Sequence, residues 1–223
     1  MNKLSVLATA FVTAFSINLY AENAAEALTL PVITQDVQHA TATKRITALF
    51  TRGHYNAVQL DDALSSRMFD TYLKNLDYYR NVLIKADVDG FEPYRDKFDD
   101  AINKGNLSFA FDMFNLTLKR RAERFDYALA LLEQDFDFSR DDQYLYDREN
   151  AAWPATTAEL NEIWRQRVKF DALNLKLAGK KDDEIKTILT KRYRNTQKRL
   201  TQTESEDVFQ LVMNSFARSI EAH

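Results

Sequence analysis

Residues 164–216 read WRQRVKFDALNLKLAGKKDDEIKTILTKRYRNTQKRLTQTESEDVFQLVMNSF, and two breaks divide them into three helical runs. Gly179 stands where a left-handed residue closes a helix. Thr203-Glu204-Ser205-Glu206 has the Thr-x-x-Glu spacing of a capping box. Ile185, Ile188, Leu189, Tyr193 and Leu200 fall on one helical stripe, and Val208, Phe209, Val212, Phe216 and Ile220 on another. The stretch therefore predicts a packed helical hairpin, and nothing in its spacing predicts chemistry.

Composition extends that reading to the whole chain. With 223 residues, 45% of them hydrophobic, there is enough apolar material for a proper core. Only 4 Gly and 3 Pro are present, which favours long helices over a many-stranded sheet rich in tight turns. Charged residues make up 28%, mixed in sign, for a net charge of −3. That balance argues against a chain built to coat nucleic acid or an anionic membrane. No Cys occurs, so disulfides and thiolate metal sites are excluded.

The chain opens with Lys3 and an apolar run over 4–19 ending Leu19-Tyr20-Ala21, the pattern of a cleavable signal peptide over 1–21. The run is too short, and too interrupted by Thr9, Thr13, Ser16 and Asn18, to make a good membrane anchor. Residues 22–38, around Pro31, read as an extended leader. From 39 to 223 the pattern is that of one helical domain. Residues 39–55 place Ala42, Ile46, Leu49 and Phe50 on one face. Asp61-Asp62 suits the start of a helix carrying Leu64, Met68, Tyr72, Leu73 and Leu76. A weaker helix over 86–104 is disturbed by Gly90 and Pro93 and closed by Gly105. The clearest stripe runs through Ala110, Phe114, Leu118, Phe125, Leu129 and Leu132. Residues 135–154 turn acidic and aromatic without period and read as an irregular loop. Thr156-Thr157-Ala158-Glu159 offers a second capping box, opening a helix to Ala178. Its apolar residues (among them Trp164, Val168, Phe170, Leu173 and Leu177) lie on more than one face, which predicts deep burial. The expectation is an all-α fold, an irregular array of about six or seven helices in a single domain after the signal peptide.

Candidate chemistry is sparse. Residues 85–90, KADVDG, mimic the middle of an EF-hand loop, with Asp96 at its last position. Lys85 stands where the first carboxylate belongs and Pro93 at the ninth position, so a capped helix start is the better account. His39, His54 and His223 show no metal-ligand spacing. No nucleophile motif occurs. Lys119-Arg120-Arg121 with Arg124, and Lys191-Arg192-Arg194 with Lys198-Arg199, read as solvated or acid-paired helix faces. The export signal opposes a nucleic-acid partner for them. Asp99-Asp100, Asp141-Asp142 and Asp182-Asp183 are adjacent, and adjacent helical residues do not face each other, so they are not acid–base pairs. Tyr144, Tyr146 and Trp153 sit in the irregular loop, either tucked onto the domain or offered to a missing partner.

Five strings carry a resemblance: HATATKRITALFTRGHY (39–55), FNLTLKRRAERFDYAL (114–129), KFDALNLKLAGK (169–180), KRYRNTQKRLTQTESEDVF (191–209) and SFARSIEAH (215–223). They resemble the N-terminal helical region of the tail-specific proteases, bacterial carboxy-terminal-processing serine peptidases of the periplasm. The resemblance implies a periplasmic scaffold for an enzyme that recognises apolar C-termini. In the family a serine–lysine dyad lies in a later domain, beyond a PDZ module. No family site residue can be carried onto this chain, and no catalytic, cofactor-binding or metal residue and no cofactor is expected. Where relatives have an Asp-Pro-His turn, this chain has Glu221-Ala222-His223, so the family's exit geometry is not carried over to it. The implied partners are the PDZ/protease body, a lipoprotein adaptor and, indirectly, protein substrates with apolar C-termini. The chain is then either a fragment of such a peptidase, inert alone, or a free-standing periplasmic interaction module. In the first case an apolar patch should be exposed where the body packs.

Overall fold

The computed structural model describes residues 28–53 and 58–220, so the signal-peptide stretch, His54 and His223 lie outside the described residues. Helix α1 (Val37–Gly53) follows a segment without regular structure. Two side-chain amides tie that segment down as a neighbouring strand would. Asn115 accepts from Ile33 N (3.0 Å) and donates to Ile33 O (2.8 Å). Gln35 donates to Gly105 O (2.8 Å) and accepts from Leu107 N (2.7 Å). Helix α2 (Asp62–Leu76) starts where the Asp61 carboxylate accepts from Leu64 N at 2.8 Å.

The single helix expected over 86–104 is instead three pieces: α3 (Lys85–Phe91), a 3-10 turn (Glu92–Tyr94) and α4 (Phe98–Lys104). Pro93, which has no N–H and would clash with the preceding turn, accounts for the division. Gly105 closes α4 at φ +74, as a left-handed terminator. Then come α5 (Ser108–Leu132), α6 (Thr157–Leu177), α7 (Asp182–Leu200) and α8 (Ser205–Ile220). Among the described residues there are eight α-helices and no strand. Gly179 closes α6 at φ +80. The α8 cap falls one residue later than the Thr203–Glu206 pattern predicts. Asp207 accepts from Glu204 N (2.9 Å), while Thr203 bonds back to Leu200 O.

Two apolar cores share one helix. The first gathers α1 to α4, α8 and the N-terminal half of α5 around Met68, Phe69, Tyr72, Phe98, Phe111 and Phe216. The second packs Ala128 and Leu132 of α5 against Leu160, Trp164 and Val168 of α6 and Ile185, Leu189 and Tyr193 of α7. Phe125 touches both. Helix α7 runs opposite to α5, with Gln197 bonded to Asp126 and Lys186 to Asp135. Helix α6 runs in the same direction as α5, since Arg124 meets Asn161, and Val168 shares a pocket wall with Leu131. Parallel neighbours cannot be joined by a tight turn, which accounts for the long segment 133–156 between them.

Two expectations are overturned. Of the α1 stripe, Ala42, Ile46 and Phe50 pack partly buried against the first core, but Leu49 is 70% exposed and the fully buried line is His39, Thr43 and Thr47. Those hydroxyls are satisfied by His39 O (2.7 Å) and Ile102 O (3.3 Å), and the small side chains allow close helix approach. Helix α6 is not buried on several faces. It rests on α5 and α7 through buried Leu160, Trp164, Val168 and Ala172, with Leu175 partly buried beside them, leaving Phe170, Leu173 and Leu177 on the exposed side.

Candidate functional site

The segment 133–156 lacks regular structure yet is held at two acidic points. Asp142 takes Arg165 Nη2 (2.5 Å), Arg165 Nη1 (3.1 Å) and Lys169 Nζ (2.7 Å), with Arg140 Nε at 3.1 Å. Arg165 and Lys169 lie one turn apart on α6, so one carboxylate reaches both. The Arg165 bond, then that of Lys169, holds the Asp142 carboxyl well below the usual range. Seven residues on, Glu149 accepts from Lys74 Nζ (2.5 Å) and Tyr78 OH (2.6 Å). The Lys74 bond lowers the Glu149 carboxyl. Glu149 in turn pushes the Tyr78 phenol up to about 12. Beyond it, Ala151 O accepts from Arg80, whose guanidinium lies over Trp153, and Pro154 O accepts from Lys85 N.

A second turn is fixed just as firmly. Asp77, at the end of α2, accepts from the backbone N–H groups of Asn81 (3.0 Å), Val82 (2.9 Å) and Leu83 (2.9 Å). Burial raises its carboxyl, opposed by those three donors and by Arg121. Arg80 adopts φ +48, a left-handed conformation that costs a non-glycine residue roughly 1 kcal/mol. Trp164 Nε1 donates to Asn81 O at 2.6 Å, locking α6 onto the same turn.

What these anchors hold outward is aromatic. Tyr78 and Tyr79 project from the turn. Leu145 (54% exposed) and Tyr146 (67% exposed) project from the loop beside half-buried Tyr144. Phe170 joins them from α6. The ring centroids step from Tyr78 to Tyr79 (4.9 Å), Tyr146 (6.2 Å), Tyr144 (6.4 Å) and Phe170 (5.2 Å), forming a continuous ridge. A cleft opens at each end. One, of about 620 Å³, lies beside Tyr78 and is lined by Lys74, Asp77, Arg80, Glu149 and Trp153. The other, of about 530 Å³, lies beside Phe170 and Tyr144 and includes Phe138, Lys169 and Leu173. Such a surface offers apolar contact and hydrogen-bonding tips, and no reacting group.

The other candidates have structural partners. Lys85 pairs with Asp89, and buried Asp87 takes Arg120 and caps α3 through Ile84 N, so the EF-hand mimic is a helix start. Among the described residues no group of His, Cys, Asp or Glu is placed to hold a metal ion. His39 bonds Glu206 (3.1 Å) and stacks on Phe209 (4.4 Å). Ser65 accepts from Phe98 N, Ser205 bonds Asp36, and Ser215 and Ser219 bond back along α8, so each of these four hydroxyls has a structural partner.

The first basic cluster is not a solvated face. Arg120 pairs with Asp87 and Glu123, Arg121 bonds Leu76 O, and buried Arg124 bonds Asn161, stitching the two cores together. Burial lowers the Arg121 and Arg124 guanidinium groups. The second cluster, on α7, is exposed as expected. Asp100 pairs with Lys104 and Asp182 with Lys176. Asp142, by contrast, is a loop anchor that adjacency alone did not reveal. The available signal was Arg165 and Lys169 at i, i+4 on the helix after an acidic loop. Trp153 is tucked against the first core, while Tyr146 is offered outward.

A family model described as the tail-specific protease N-terminal domain matches residues 46–223. The chain is also similar to the tail-specific protease of Haemophilus influenzae, 45% identical over 197 residues. That alignment covers 88% of this chain and 28% of the Haemophilus protein, so the chain spans little more than a quarter of the relative's length.

Proposed function

On the premise that the chain belongs to the tail-specific protease family, as its N-terminal domain, we propose that it is the non-catalytic scaffold of a carboxy-terminal-processing serine peptidase. In this reading residues 1–21 direct export and are removed, residues 22–38 form a leader, and 39–223 work in the periplasm. The PDZ and Ser/Lys protease parts form the body it supports, a lipoprotein adaptor can dock on the assembly, and the substrates are proteins with apolar C-termini. One observation carries the reading: the family match takes up most of this chain but only 28% of the relative, and it falls on a purely helical array.

The geometry supports a mechanical role. Two cores fused through α5 make a rigid body, and its loops are pinned so that an apolar surface faces outward. Catalysis would instead require a positioned nucleophile, a base and oxyanion donors. The test is to incubate the purified chain with a model peptide ending in apolar residues. No cleavage is expected. Cleavage that survives affinity repurification of the chain would overturn the reading.

A further inference from the structure

We propose that the aromatic ridge is a binding site for an extended, unfolded polypeptide segment, with its two end clefts receiving side chains. This rests on the peptidase reading above, which supplies unfolded protein tails as the class of ligand. Its physical basis is the way the ridge is built. Asp142 and Glu149 pin the loop on either side of Tyr144, Leu145 and Tyr146, and the Asp77 turn sets Tyr78 and Tyr79 outward. Pinned apolar side chains left in solvent lose little conformational entropy when they are covered, which favours binding.

The shape suits a strand-like ligand better than a folded one. Tyr146 is also 6.4 Å from Phe170, so the last three rings form a triangle and the ridge reaches at most about 17 Å from Tyr78, room for roughly five residues of extended chain at about 3.3 Å each. Its half-exposed rings present on the order of 500 Å², short of the roughly 800 Å² that each partner buries in a standard protein–protein interface. A second copy is therefore a poorer occupant. The charges that pin the loop are paired with one another (Arg165 and Lys169 on Asp142, Lys74 on Glu149), so the ring faces carry the recognition, which is apolar and tolerant of sequence. The ridge is also remote from the C-terminal end of the array. Helix α8 runs opposite to α2, with Ser219 O accepting from Arg67 and Ser215 from Asn75, so its last turn lies toward the start of α2, whereas Tyr78 and Tyr79 lie beyond the end of α2.

The experiment is fluorescence anisotropy of fluorescein-labelled, reduced and carboxymethylated α-lactalbumin, a permanently unfolded chain, titrated with the 223-residue protein. Saturable binding is expected, weakened at least tenfold in the double variant Tyr146→Ser/Phe170→Ser. The control Leu49→Ser, at an exposed apolar residue of α1, should bind as the parent does. Thermal melting of each variant shows that the fold is kept. Absence of binding, or equal binding by the double variant, overturns the proposal. So does concentration-dependent self-association that the double variant abolishes, which would make a second copy the occupant. A parallel co-sedimentation with the separately expressed remainder of the Haemophilus protein separates the two readings. Loss of that association in the double variant would make the ridge the joint to the body, sinking this inference and leaving the scaffold role intact.

Discussion

Gly105 and Gly90 show how differently the same residue type acts in this chain. Gly105 sits at φ +74, and an added Cβ would lie 2.5 Å from Ala40 O, where α1 crosses the end of α4. Gly90 lies inside α3 with nothing within 4 Å of an added Cβ. Gly105→Ala should therefore destabilise by more than about 1 kcal/mol, and Gly90→Ala should stabilise by about 0.5–1 kcal/mol. Urea unfolding of the two variants checks both signs. Trp164 is the other decisive residue. It is fully buried, lies edge-on to Phe125 (5.5 Å) and bonds Asn81 O, so it joins the second core to the turn after α2. Trp164→Ala should cost about 3–5 kcal/mol. Trp164→Phe keeps most of the apolar area but leaves Asn81 O without its donor, a loss of about 1–3 kcal/mol. If the two variants unfolded at the same urea concentration as the parent, the joint would not be structural.

At the level of elements, the pinned segment 133–156 responds to pH in a defined direction. Asp142 and Glu149 have folded pKa values depressed below their unfolded ones, so their anchoring is complete above the unfolded carboxyl range, about pH 4. It is lost as pH falls through the folded values. Amide exchange at Ala151, whose N–H bonds Arg148 O, should be slow and flat between about pH 5 and 8 after correction for intrinsic rates, and should rise below about pH 4. Asp142→Asn should bring that opening to neutral pH while leaving α2 and α8 protected. Unchanged exchange in the variant would show that the anchor does not hold the loop. Most elements could be read from periodicity and punctuation: the α2 stripe, Gly105, Gly179 and the Thr156 cap lie where local rules place them. What could not be read depends on neighbours. Nothing local says that His39, Thr43 and Thr47 of α1 go inward, because ring packing on Phe209 places His39, Thr47 bonds Ile102 O of α4, and Thr43 bonds back to His39 O. Nor does the α6 pattern say that Phe170 and Leu173 stay outside, because the face that carries them meets only the 133–156 loop. The ridge escaped for the same reason, being assembled from three separate segments that the anchors bring together.

For the whole molecule, the absence of a reacting constellation among the described residues and the outward apolar surface belong together. A domain whose loop charges at Asp142 and Glu149 pair internally and whose stapled loops point aromatics outward is organised to be contacted. The chain belongs to the tail-specific protease family as its N-terminal domain and spans 28% of the Haemophilus relative. No helix among the described residues is long and apolar enough to cross a membrane. The most direct test adds the purified chain to the separately expressed remainder of the Haemophilus tail-specific protease and measures cleavage of a peptide with an apolar C-terminus. The account predicts that the chain alone is inert, that it associates with the remainder, and that cleavage then rises severalfold over the remainder alone. Cleavage by the chain on its own, or a remainder that neither binds the chain nor changes its rate, would contradict it.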